Sequence, residues 1–157
     1  MDQGIAIEGF RPSDADRLRR LTRMTTGVAH PAELFAAVAE TQARRLLVAR
    51  DKRTGNAVGL AMAARPPGGN DMFLLAVEPK LHGKAVRKEL LASIEETLVH
   101  DGERGLAVEV PAPDREMATF LEREGFRVLD VAPAPSPNEV DRYVMGKRFG
   151  RRARALL

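Results

Sequence analysis

The feature that most constrains this chain is a change of hydrophobic period within one short segment, MFLLAVEPKLHGKAVRKELL, residues 72–91. Residues 72–77 form a continuous apolar run of strand length. From Lys84 to His100 the apolar residues Val86, Leu90, Leu91, Ile94 and Leu98 recur at helical spacing. Pro79 and Gly83 punctuate the change. A buried strand that feeds a helix this directly commits the chain to helices packed on a sheet. The first turn of such a helix leaves backbone N–H groups unpaired and turns the positive end of its dipole outward. Lys80, His82, Lys84, Arg87 and Lys88 add positive charge around it. The segment therefore suits a phosphate or pyrophosphate, or it is a plain crossover whose cations face solvent. One loop glycine does not separate the two.

The rest of the chain reads in the same alphabet. Residues 5–10 alternate as a short strand, and Ser13 is the expected N-cap of a helix carrying Leu18 and Leu21. A second helix follows His30-Pro31, with Leu34, Phe35, Val38 and Ala39 on one face. Strands are expected at 46–50, 57–64, 72–77, 106–110, 126–131 and 143–145. A helix is expected over 114–124, with Met117, Ala118, Phe120 and Leu121 inward and Gly125 closing it. The order predicts an α/β (α+β) domain with a mixed, mostly antiparallel sheet of six to seven strands and about four helices over residues 1–148. A basic tail occupies 149–157.

Composition removes whole classes of function. The chain has no Cys, which excludes disulfides, thiolate metal sites and a cysteine nucleophile. Its single Tyr and absent Trp argue against base-stacking platforms. No apolar run reaches membrane-spanning length and the N-terminus lacks a secretory pattern, so a cytoplasmic protein is expected. No His/Asp/Glu spacing suggests a metal. The net charge of +3 comes from 25 basic and 22 acidic residues. Lys147, Arg148, Arg151, Arg152 and Arg154 supply five of the 25, and the other 20 leave a body at −2. That tail is either a solvated terminus or a dock for an acidic partner.

Several of these residues together resemble the GNAT superfamily of N-acetyltransferases. Val77-Glu78-Pro79 and Gly83 are similar to its motif A, in which a strand ending Val-x-Pro enters an Arg/Gln-Gly-x-Gly-x-Gly loop and a long helix. Gly125-Phe126 match the end of motif B, and YVMGK at 143–147 is similar to the closing strand. The resemblance implies acetyl-CoA as acyl donor and an amine as acceptor. It assigns cofactor contact to Ala76, Val77, His82, Gly83, Lys84, Ala85, Val86, Arg87, Lys88, Asp114 and Leu121. The departures are specific. His82 stands for the leading Arg or Gln, Ala85 and Arg87 for the second and third glycines, Asp114 for the motif B asparagine, and Leu121 for its tyrosine. Glycine lets backbone approach the pyrophosphate without a Cβ, so Arg87 either crowds the phosphates or pairs with them. Leu121 cannot protonate a departing thiolate.

Transfer to an ammonium needs a base. Glu109, twelve residues before Leu121, matches the base-to-tyrosine spacing of ribosomal-protein N-acetyltransferases. Its alternative is an outward-facing strand glutamate. Glu78 and Asp71 are weaker candidates, Tyr143 is a further one from the last strand, and His30 and His100 suit helix ends. Two functions stay open at this point: an amine N-acetyltransferase, and a non-catalytic GNAT-like binding or dimerisation module. A homodimer is compatible with either, and nucleic acid is disfavoured.

Overall fold

The computed structural model describes residues 4–28, 30–79 and 83–150. The expectations placed on Lys80, His82 and the arginines of the tail beyond 150 lie outside those residues. The elements run β1 (Ile5–Gly9), α1 (Ala15–Thr26), α2 (Ala32–Thr41), β2 (Leu46–Asp51), β3 (Ala57–Ala64), β4 (Met72–Val77), α3 (Gly83–His100), β5 (Gly105–Pro111), α4 (Arg115–Arg123), β6 (Arg127–Ala132) and β7 (Arg142–Arg148). The expected class is the observed one, with its strands divided into a sheet ordered β1-β2-β3-β4 and another ordered β5-β7-β6. Every described pairing is antiparallel. The chain forms two compact units, Met1–Thr97 and Leu98–Leu157.

In the first unit β3, AVGLAMAA, is buried along its whole length. Its register sets Leu60 opposite Ala76 and Met62 opposite Leu74. These residues join Leu46 and Val48 in one core with Leu18 and Leu21 of α1 and Phe35 and Val38 of α2. On the opposite face, α3 comes close enough that a Cβ on Gly59 would lie 3.0 Å from Leu90 Cδ1 and 3.2 Å from the Ala76 carbonyl oxygen. A side chain there would require Leu90 or the Ala76 carbonyl to give way by a few tenths of an ångström.

The helix start differs from expectation. Pro12–Asp14 forms one turn of 3-10 helix before α1, and Asp14, not Ser13, carries the polar role. Asp14 Oδ2 accepts from the Arg11 backbone N–H at 2.8 Å. Arg50 Nη1 and Nη2 donate to Asp14 Oδ1 and Oδ2 at 2.8 and 2.9 Å, and Arg50 Nε donates to Glu8 Oε1 at 2.9 Å. Asp14 and Arg50 are each 5% exposed, so the pair is buried. Burial alone would raise the Asp14 pKa. The hydrogen bonds from Arg50 and from the Arg11 amide outweigh it and hold the carboxyl below its ordinary value. A serine hydroxyl lacks the charge and the second oxygen that a buried guanidinium requires.

In the second unit Val108, Val110 and Met145 are buried on one face of the sheet, as are Leu121 of α4 and Phe126 beyond it. Asp114 caps α4 by accepting from the Met117 N–H at 3.1 Å. Gly125 closes the helix with φ +99°, a left-handed conformation that glycine adopts without strain. Of the four residues expected inward on α4, Leu121 is buried while Met117, Ala118 and Phe120 are half-buried. The edge strand β6 is exposed over most of its length, with a bulge between Val128 and Asp130.

Candidate active site

β4 ends on Ala76 and Val77, both buried. The ladder runs one residue further, because the Glu78 N–H donates to the Val58 carbonyl at 2.8 Å. Pro79 has no N–H to continue it. At the start of α3, a Cβ on Gly83 would meet only the Glu78 carbonyl oxygen, at 3.9 Å, so the described residues leave that backbone approachable. Lys84, Ala85 and Lys88 are exposed, and Val86 is buried and anchors the turn. Arg87 precedes Leu91 by one turn. It is half-buried, with Nε and Nη1 shielded from solvent. Its guanidinium thus lies along the inward side of the helix.

Glu78 does not stand alone at the strand end. Arg17 of α1 donates from Nε to the Ala57 carbonyl at 2.7 Å and holds Nη2 3.7 Å from Glu78 Oε2. That pairing offsets the negative charge Glu78 would otherwise present beside a phosphate. Asp71 accepts from Arg65 Nε at 3.1 Å and belongs to the turn before β4.

The carboxylate singled out on β5 is exposed: the Glu109 side chain retains 56% of its accessible surface, and Oε1 lies 3.6 Å from Nη1 of Arg142 on β7. Register decides which candidates share a face. Glu109 stands opposite Val144, and Val110 stands opposite Tyr143. Successive residues of a strand point to opposite faces, so Glu109 and Arg142 share one face while Tyr143 lies with Val110 and Met145 on the other. The two candidates on adjacent strands are not brought together. Asp114 is engaged in its helix cap, and Leu121 is 1% exposed. Partial burial lowers the His30 pKa, so its imidazole is neutral near pH 7. Among the described residues no cluster of three or more His, Asp and Glu side chains could hold a metal ion.

The model of the acetyltransferase (GNAT) family matches residues 15–126. The chain belongs to that family. Its fold is also that of solved GNAT proteins. Ard1 from Thermoplasma volcanium aligns with a TM-score of 0.81 at 16% identity, over 94% of this chain and 99% of that one. Naa50 of Arabidopsis thaliana, in complex with the bisubstrate analogue CoA-Ac-MVNAL, aligns with a TM-score of 0.74 at 17% identity, over 93% and 99%. The ribosomal-protein-S18-alanine N-acetyltransferase of Escherichia coli gives 0.69 at 16% identity, over 94% and 97%. No curated protein matches the sequence.

Within this GNAT chain the pattern of motif A fell on the strand end and helix start it predicts. Arg142 and Arg17 were not legible. Each acts through a partner distant in sequence, and neither sits in a motif; Arg142 falls just outside the strand expected at 143–145.

Proposed function

We propose that this chain transfers an acetyl group from acetyl-CoA to an amine, with Glu109 as the general base. The observation that carries the reading is the β4–α3 unit of a family member, with its helix start approachable at Gly83 and flanked by exposed Lys84 and Lys88. Acetyl-CoA, when bound, supplies an activated acyl carbon. The protein's own part is to bind, orient and move one proton. The first-turn N–H groups and dipole of α3 hold the pyrophosphate, and the two lysines add screened attraction at the rim. Glu109 accepts the proton of the ammonium, which frees the nitrogen lone pair to attack. Leu121 offers no proton, so the thiolate takes one from solvent. Residues 1–148 act as one GNAT-like domain in this reading, since the family match runs through both compact units. No helix among the described residues is long and apolar enough to cross a membrane.

Thermal shift tests the binding half. Acetyl-CoA and CoA raise Tm, an unrelated nucleotide does not, and the shift shrinks as salt rises. Glu109→Gln tests the chemistry: turnover falls roughly 100-fold or more while CoA affinity is little changed. Unchanged turnover would move the base elsewhere. No stabilisation by millimolar CoA at low salt would leave the non-catalytic module as the better account.

A further inference from the structure

We propose that Arg17 and Glu78 jointly set the affinity for the donor's pyrophosphate: the guanidinium on α1 masks the one carboxylate at the strand end, so binding follows the sum of the two charges and not either alone. The inference rests on the acetyltransferase reading above and adds Arg17 as a positioning residue that does not touch the donor.

The backbone places both groups. Ala49 of β2 pairs with Gly59 of β3 and Arg50 with Ala57, so Val58 is the extra residue of a bulge. Both carbonyls there are engaged: Ala57 accepts from Arg17 Nε at 2.7 Å, and Val58 accepts from the Glu78 N–H at 2.8 Å. Arg17 and Glu78 are therefore anchored to adjacent points of one buried strand. Arg17 Nη2 then stands 3.7 Å from Glu78 Oε2, an ion pair beyond good hydrogen-bond length. Their coupling is one of charge, without a directional bond. The side chains stay 38% and 30% exposed, so each charge also acts on what lies beside it.

Glu78 matters because of where it sits. It is the only acid between Asp71 and Glu89, a stretch that holds the strand end and the start of α3. Its carbonyl oxygen is 3.9 Å from the position a Cβ would take on Gly83. An unmasked carboxylate there repels a pyrophosphate at the helix start, and Arg17 cancels that repulsion. The neighbouring charges do not replace Arg17 in this role. Asp16 pairs with Arg19 at 4.0 Å. Arg20, Lys84 and Lys88 are exposed and attract any anion whether or not Glu78 is masked. They are the same in every variant below and drop out of a double-mutant comparison.

The test is equilibrium titration with CoA, and with pantetheine, which lacks the pyrophosphate and nucleotide. Arg17→Gln leaves Glu78 unmasked and weakens CoA about 3- to 10-fold. Glu78→Gln leaves Arg17 unopposed and tightens CoA by a similar factor. The double variant returns to within about twofold of wild type, and so does Arg17→Lys, which keeps the charge without the planar tether. Pantetheine affinity is the same in all five proteins, and the differences with CoA shrink as salt rises. A double variant as weak as Arg17→Gln would overturn the inference, for Arg17 would then touch the donor itself. Arg17→Lys as weak as Arg17→Gln would also overturn it, because shape and not charge would be at work. Wild type that binds CoA, with both single variants unchanged, rejects the inference alone. Wild type that binds no CoA at millimolar concentration rejects the acetyltransferase reading and the inference with it. Melting curves check folding; if Arg17→Gln does not fold, Glu78→Gln decides, since unchanged CoA affinity there overturns the proposal.

Discussion

The two sheets use the same antiparallel pairing and opposite strategies of burial. β3 of the first sheet is apolar along its length and covered on both faces, so its neighbours can only be packing partners. β5 of the second alternates, with Val108 and Val110 buried and Glu109 exposed between them. The first sheet is a scaffold whose buried charges are engaged: Arg50 donates to Asp14 and Glu8, and Asp51 accepts from the Arg53 N–H. The second keeps one face open, where the Glu109 carboxylate lies exposed beside the Arg142 guanidinium. Close packing and an open polar face are thus divided between the sheets, and substitutions should sort accordingly.

The largest stability effect is expected in the scaffold's ionic lock. Asp14→Asn removes one charge of a buried pair and leaves Arg50 with Glu8 alone, costing about 3 kcal/mol or more in denaturant unfolding. The pH dependence follows from the lowered Asp14 pKa. The unfolded chain titrates near the ordinary value of 3.8, so the contribution is complete above that and is lost as pH falls through the folded value. Wild type should lose this increment on acidification below about pH 4, and Asp14→Asn should not. A variant as stable as wild type would show that the lock is dispensable.

A smaller effect is expected where α3 meets β3. Gly59→Ala puts a methyl group 3.2 Å from a backbone oxygen that cannot move away cheaply, so destabilisation of about 1 to 3 kcal/mol is expected. Because α3 must shift, acetyl-CoA should also stabilise this variant less than wild type. The smallest effect belongs to the open sheet's edge: Leu129→Gln, at a bulge residue 61% exposed, should change stability by about 0.5 kcal/mol or less. A large loss there would mean that a second molecule covers β6.

What was legible in the sequence follows the same division. Period and breakers placed β4 at Met72–Val77 and opened α3 within a residue of Lys84, because both elements are set by local pattern. The start of α1 was misplaced onto Ser13 because the partner of Asp14 is Arg50, 36 residues away, and no local pattern carries that pairing. The candidate base was visible as a residue type in a strand. Its neighbour Arg142 was not, since only the β5–β7 register places them on one face. Likewise the separation of Tyr143 from Glu109 is a consequence of pairing phase: a one-residue slip would reverse it.

The order β5-β7-β6 has a consequence for how the protein is made. The middle strand of that sheet is the last to leave the ribosome. The meander β1-β2-β3-β4 can assemble as it emerges, each strand onto its predecessor, with α1 and α2 already present to cover it. β5 and β6, by contrast, have no partner until Arg142–Arg148 arrives between them. Nascent chains stalled before that point should carry a finished scaffold and an unpaired, protease-sensitive remainder, and the face bearing Glu109 would come into being only with the closing strand.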